Sequence, residues 1–346
     1  MFSKTYLKEC ILKCRMKLIK PNRLAEGDKL GIIATSTPIT VSKQSLDRGY
    51  TYLRNKGFEL VEASNCHKRV GNSAGTIRER VNAFHNFIRD PDIDGIIAFW
   101  GGFQSHQLLE YLDYELIKRH PKPIIGYSDT TALQVGIFAK TGLVSFSGPA
   151  VITYCQPKVF DYSWKYFENT IIKGVAPLRI EPSPIYSDNP WWERKDKKML
   201  VKKTEGWKTY SPGKAEGQII GGNLGTMLLL ENTPYWPELN DRILFVEEDE
   251  EEKPQTIDRL FTRLRQLGVF DQIKGLVVGR FHTNVGFNKK DSFEMILDDA
   301  LRGYDLPVLY NVDFGHTDPL ITIPLGIRCK IDAGKKEITY LESAVR

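Results

Sequence analysis

Ile124-Ile125-Gly126-Tyr127-Ser128-Asp129-Thr130-Thr131 runs from two β-branched apolar residues through a glycine-led turn into a hydroxyl-rich helix start. A strand, a sharp turn and a helix in immediate succession mark a parallel α/β sheet. The same geometry is that of a nucleophile elbow. It holds a serine hydroxyl above the sheet and lets the next amide, that of Asp129, point at an oxyanion. Upstream, the rhythm repeats. Leu30 to Ala34 predicts a strand that enters the turn-rich Thr35-Ser36-Thr37-Pro38. Leu46, Tyr50 and Leu53 share one helical face that Gly57 closes, and Phe58 to Val61 follows as a strand. Thr76 with Glu79 predicts a capping box, and Ile77, Val81, Phe84 and Ile88 continue at helical spacing. Gly95 to Trp100 predicts a strand. A helix burying Leu108, Leu109, Leu112 and Leu116 then leads to the strand Pro123 to Gly126.

Downstream, Pro177 to Pro212 breaks this rhythm. It is rich in Pro, Trp, Lys and Ser without a sustained period, which predicts a long connecting loop. Trp191, Trp192 and Trp207 argue against plain disorder there. From Ala215 a second lobe begins, with Gly221-Gly222-Asn223 ahead of the apolar Leu224 to Leu230. Arg242 to Val246, Gly275 to Gly279 and Val308 to Val312 predict strands. Ile257, Leu260, Phe261, Leu264 and Leu267 predict an amphipathic helix ended by Gly268. The alternation in Arg328 to Leu341 suits a hairpin around Ala333-Gly334. The expected architecture is therefore two-lobed α/β. Residues 1–15 form an N-terminal extension, 16–170 a parallel-sheet lobe with the elbow, 171–214 a connecting loop, and 215–346 a mixed α/β lobe carrying a glutamate and a histidine of interest.

Composition narrows the function. With 346 residues, 41% of them hydrophobic and 26% charged, the chain can bury a substantial core. A net charge of +5, from 48 basic and 43 acidic residues scattered along the chain, argues against a nucleic-acid polymer as partner. Cys10, Cys14, Cys66, Cys155 and Cys329 are odd in number and mostly far apart, so reduced thiols in a cytoplasm are expected, not a disulfide framework. Charges interrupt residues 1–15, and no later apolar run is long enough to predict a membrane span. Cys10 and Cys14 have helical i,i+4 spacing but no accompanying ligand pair, so no metal is expected there.

Ligands of open α/β sheets gather at the carboxyl ends of strands, and three such ends carry reactive residues. The first holds Ser128. Its motif departs from G-x-S-x-G, because Thr130 occupies the final glycine position. Alone, it reads more often as a serine helix cap. The second is Ile243-Leu244-Phe245-Val246-Glu247-Glu248, in which Glu247 is the first polar residue after the apolar run. The third is Asp313-Phe314-Gly315-His316 after Val312. A serine hydroxyl needs a neighbouring base, and that base needs a carboxylate to orient it and stabilise its imidazolium. Ser128, His316 and Glu247 supply these types. Among the other histidines, His67, His85 and His120 fit structural places, His106 could contact substrate, and His282 is the rival base. A metal held by Glu247, His282 and His316 lacks any close ligand spacing.

Taken together, Trp100-Gly101-Gly102-Phe103, Gly126-Tyr127-Ser128-Asp129-Thr130-Thr131, Gly221-Gly222-Asn223-Leu224, Ile243 to Glu247 and Phe314-Gly315-His316 resemble the serine peptidases that comprise L,D-carboxypeptidases and microcin C self-immunity proteins. The resemblance spans about Leu30 to Leu341. It implies Ser128 as nucleophile, His316 as base and Glu247 as its partner. It further implies backbone amides of Gly102 and Asp129 as the oxyanion hole, no cofactor, and a homodimer. One branch of that family removes D-alanine from a murein tetrapeptide. The other cleaves the amide-type bond between a peptidyl or aminoacyl group and a nucleotide, and this chain is closer to it in length and in its tryptophan-bearing loop. Asn189-Pro190-Trp191-Trp192-Glu193 is then a stacking element for a base, the alternative being that its tryptophans anchor the loop to the protein, and Asn223 is a further substrate contact.

Overall fold

The computed structural model describes residues 17–188 and 199–346. The extension 1–15 and the expected stacking residues Trp191 and Trp192 lie outside the described residues.

The first sheet collects the N-terminal strands β1 (Lys29–Ile33), β2 (Glu59–Glu62), β3 (Gly95–Ala98), β4 (Ile124–Gly126) and β5 (Phe146–Ser147), all parallel, in the order β2-β1-β3-β4-β5. β3 and β4 are buried along their whole length, as uninterrupted apolar runs in a parallel sheet should be. Around it lie α1 (Lys43–Asn55) and α2 (Ile77–Arg89), followed by α3 (Tyr114–Arg119) and α4 (Thr130–Thr141). α2 opens on the expected capping box of Thr76 and Glu79. The single helix expected through Leu116 is instead a 3-10 turn, Ser105–Tyr111, and then α3. The Asp113 carboxylate accepts from Leu116 N at 2.8 Å and so starts a new helix there. α5 (Val151–Tyr154) and α6 (Asp161–Phe167) complete this half.

The second sheet has eight strands. Its centre is the parallel run β10 (Lys214–Asn223), β11 (Arg242–Glu247), β12 (Gly275–Gly279) and β13 (Val308–Val312). The expected C-terminal hairpin, β15 (Arg328–Asp332) and β16 (Glu337–Tyr340), adds antiparallel to β10. α7 (Leu224–Leu228), α8 (Pro254–Gln266), α9 (Val269–Gln272) and α10 (Phe293–Ala300) connect these strands.

The connecting stretch differs from the loop expected over 171–214. β6 (Leu178–Ile180) pairs with β16 and β9 (Lys208–Ser211) pairs with β13, so the stretch supplies both edges of the second sheet. Between them β7 (Ile185–Tyr186) and β8 (Lys202–Lys203) form a two-stranded ribbon. Trp207 is 1% exposed and donates its indole N–H to Asp313 at 2.7 Å, which anchors the stretch to the second lobe. Asp313, fully buried, also accepts from Ser183 N and from the Arg280 guanidinium, an arrangement that shares one buried charge among several donors. The halves exchange a strand too. β14 (Ile323–Pro324), from the C-terminal half, pairs antiparallel with β5 at the edge of the first sheet. No helix among the described residues is long and apolar enough to cross a membrane. Cys66, Cys155 and Cys329 are buried free thiols.

Candidate active site

β4 ends at Gly126, and two residues later Ser128 sits at φ +60°, a left-handed conformation that non-glycine residues rarely adopt. Strain of this kind persists only where surrounding contacts hold it. Asp129, 1% exposed, accepts from both the amide and the hydroxyl of Ser105, the amide at 2.9 Å. This joins the elbow to the Gly101-Gly102 turn. Gln134 of α4 donates to the carbonyls of Gly126 and Phe146, at 3.0 and 2.7 Å, and fixes the helix under the turn. A Cβ on Gly101 would lie 2.8 Å from Ser128 Oγ and 3.1 Å from Asp129 N. Gly102, at φ +142°, would bring a Cβ onto the hydroxyls of Ser36 and Thr37. Ser36 Oγ in turn accepts from the amides of Phe103 and Gln104, and the buried Arg80 donates to the carbonyls of Thr35 and Gln104. Glycines therefore let two backbone turns meet at the serine hydroxyl.

Glu247 ends β11 and His316 follows β13, so strands that are two places apart in the second sheet deliver the pair. His316 Nδ1 and Glu247 Oε2 are 2.7 Å apart, and Glu247 is 4% exposed. Gly279 and Gly315 make the room, since a Cβ on either would lie 2.8 Å from Glu247 Cβ. Burial alone would depress the His316 imidazolium. The charge and hydrogen bond of Glu247, with Glu250 and Asp249 beyond, outweigh it and raise His316 above its ordinary value. The Tyr127 ring packs edge-on against the imidazole, with centroids 5.1 Å apart.

Ser128 and His316 open onto one cavity of about 580 Å3, a size suited to a small ligand. Tyr127, Gly101, Gly102, Gln156, Asp188 and Asp318 are also on its wall, and the acidic run Asp249 to Glu251 lies at it. His282, the rival base, lines the same cavity, but its Nδ1 accepts from Asn284 N at 3.0 Å, and burial depresses its pKa. That bond leaves a neutral His282 with its proton on Nε2, where it donates and cannot abstract. His106 does not line the cavity among the described residues. His85 accepts from Asp113 N, and His67 pairs with Glu62 at the surface.

Asn223, expected at the substrate, has a different occupation. Its Oδ1 accepts from Thr226 N at 2.9 Å, capping α7, and its Nδ2 donates to Glu248 at 3.0 Å. It does not line the cavity among the described residues. Its signal was available: an asparagine directly before an apolar helix is a strong cap candidate. Three contributors carried no such sequence signal. Glu248, pushed up to about 8 by burial and by Glu247, ties the α7 start to the end of β11 through Asn223 and Gly225 N. Asp188 is held by Lys202 and by Thr283 N. Asp318 exchanges two backbone hydrogen bonds with Ser187, at 2.7 and 2.8 Å, which clips the connecting stretch beside His316.

A strained serine at a strand-turn-helix, a buried histidine-carboxylate pair and a shared cavity in a two-lobed α/β fold define a hydrolytic enzyme of the serine peptidase class. The LD-carboxypeptidase N-terminal domain matches residues 30–148 and the LD-carboxypeptidase C-terminal domain residues 216–331, so this chain belongs to the LD-carboxypeptidase family. It is similar to the microcin C7 self-immunity protein MccF of Escherichia coli, with 38% identity over 92% of this chain and 94% of that protein. It is also similar to the putative carboxypeptidase YocD of Bacillus subtilis, with 35% identity over 90% and 95% of the two chains. The solved structure of MccF in complex with aspartyl sulfamoyl adenosine superposes with a TM-score of 0.88 at 35% identity, covering 95% of this chain and 100% of that one.

Proposed function

We propose that this serine peptidase cleaves the amide-type bond joining an aminoacyl or peptidyl group to a nucleotide, through Ser128, His316 and Glu247. The observation that carries this reading is the 2.7 Å contact of His316 Nδ1 with Glu247, in the same cavity as a left-handed Ser128. With its Nδ1 proton held by Glu247, neutral His316 has Nε2 available to take the proton of Ser128 Oγ. The hydroxyl oxygen attacks the acyl carbon, and the amides of Gly102 and Asp129 stabilise the oxyanion. The proton passes from His316 to the leaving nitrogen, and water then releases the acyl group from Ser128 by the same base.

Similarity favours the nucleotide branch over the murein one: MccF, 38% identical to this chain, has been solved in complex with aspartyl sulfamoyl adenosine. Trp191 or Trp192 would stack on the base. The carboxypeptidases of the family support murein tetrapeptide hydrolysis as the second reading. The deciding experiment offers wild type and Ser128→Ala both a murein tetrapeptide and aspartyl sulfamoyl adenosine. Wild type is expected to cut the nucleotide and the variant neither. Efficient cutting of the tetrapeptide alone would overturn this function. The reading also takes the protein as a cytoplasmic homodimer, to be checked by cell fractionation and by sedimentation.

A further inference from the structure

We infer that Asp318, backed by Gln156, is a subsite for a free α-ammonium group, so that the preferred acyl part is a single amino acid and not an N-acylated or peptidyl chain. This rests on the aminoacyl-nucleotide reading and narrows it. Asp318 stands two residues after His316 and lines the cavity. Its backbone is clamped to Ser187, and its Oδ2 accepts from Gln156 Nε2 at 2.7 Å. Reversing the Gln156 amide would set two oxygens against each other, so the bond to Asp318 fixes its orientation. The other amide atom, Gln156 Oε1, is then an acceptor. It is buried, on a side chain 4% exposed, and has no hydrogen-bond partner within the protein.

Thr317, the neighbour of Asp318 in the chain, also lines the cavity, and its hydroxyl oxygen is buried without a hydrogen-bond partner within the protein. Acceptors beside a carboxylate match a group with three N–H donors and a positive charge. Asp318 makes no ion pair with Lys or Arg among the described residues. Burial lifts its pKa to about 6, although Gln156 and His316 both pull it down. A carboxylate held in that state gains from a cationic ligand.

The position agrees with the chemistry. An α-amino nitrogen is two bonds, roughly 2.5 Å, from the acyl carbon under attack. Whatever recognises it must border the nucleophile. The charge of Asp318 acts on both His316 and Tyr127, the residue before Ser128. Acylation of the substrate nitrogen removes its charge and two of its three donors, which leaves the Asp318 carboxylate without its cation.

The test measures kcat/KM of the full-length protein on aspartyl sulfamoyl adenosine and its N-acetyl derivative, and on the dipeptide Asp-D-Ala and its N-acetyl derivative. The free amine is expected to be preferred by roughly 10- to 100-fold, the range of a charge-assisted hydrogen bond. Asp318→Asn should collapse that ratio toward one, and Gln156→Leu should lower it in part. Circular dichroism of each variant establishes that it is folded, and if Asp318→Asn is not, Gln156→Leu carries the comparison. Equal wild-type rates on free and N-acetylated substrates, or losses that scale both alike in the variants, would overturn the subsite. A preference seen only on the dipeptides would uphold the subsite and remove the nucleotide leaving group. Cleavage of neither pair would remove both.

Discussion

Glu247→Gln isolates the charge of the carboxylate while keeping its shape. Glu247 meets His316 at 2.7 Å through one oxygen, and its other oxygen, Oε1, is buried without a protein partner. The amide can sit two ways. With its oxygen on His316 Nδ1, the tautomer survives, but the NH2 group enters the unpartnered place at a cost of about 1–3 kcal/mol, and the imidazolium loses its counter-charge. With NH2 on Nδ1, the imidazole proton moves to Nε2, which can no longer accept from Ser128. The corresponding carboxylate-to-amide change in another serine triad costs about 10^4 in kcat. The expected loss in kcat/KM is therefore about 10^3 to 10^4, or about 4–5.5 kcal/mol.

A pH profile adds a second readout. Glu247 raises His316, and a protonated His316 cannot act as base. In wild type the acid limb of kcat/KM should thus lie above the ordinary histidine value of about 6.5, and in the variant it should move to lower pH. Stability follows the same linkage. A histidine raised on folding contributes stability in full below about 6.5, and that contribution is lost as pH rises through the folded value. The stability difference between wild type and variant, from urea unfolding, should accordingly be larger at pH 6 than in the alkaline range. Retention of more than about a tenth of wild-type activity, or an acid limb that does not move, would refute the role given to Glu247.

Four further outcomes are expected. Ser128→Ala and His316→Ala each abolish turnover, the double variant is scarcely worse than either because the two act as a unit, and His282→Ala is milder in the same kcat/KM assay. Gly315→Ala loses at least about 100-fold in kcat/KM with the fold retained, the scale of misplacing a reacting group by about 1 Å, because a Cβ there, at φ +100°, would lie 2.7 Å from Glu247 Oε2. Trp207→Phe removes the indole donor from buried Asp313 and costs about 1.5–3 kcal/mol in urea unfolding, the worth of a hydrogen bond to a charged group. Alanine at the stacking member of Trp191 and Trp192, with Trp192 slightly favoured, weakens nucleotide binding by about 1–3 kcal/mol and leaves a small peptide substrate nearly unaffected, with phenylalanine restoring more than leucine.

What could be read from residue order was what is encoded locally. The Thr76–Glu79 box, the apolar runs of β3, β4 and β11, and the turn at Ser128 each depend on neighbours within a few positions. The edge strands β6 and β9 were not legible. They are three and four residues long, too short to show a period, and only partners far along the chain make them strands. Trp207 illustrates the same limit, because nothing beside it in the sequence announces Asp313. At the site, Ser128, Glu247 and His316 were candidates by residue type and strand-end position, and their meeting required the sheet order. The cap that Asn223 makes on α7 was legible too, since an asparagine directly before an apolar run is a local signal.

The exchange of β14 into the first sheet bears on how the chain is made. β5 has no antiparallel neighbour until residues 323–324 arrive, roughly 175 residues downstream of 146–147. At translation rates of about 5–20 residues per second, that is a wait of roughly ten to forty seconds. Throughout it, the half carrying Ser128 has its central strands but an open edge, a template for pairing with another chain. Nascent chains should therefore be most prone to aggregate after the elbow is synthesised and before β14 emerges. A fragment such as 17–170, expressed alone, should be rescued from that fate by supplying the missing half in trans.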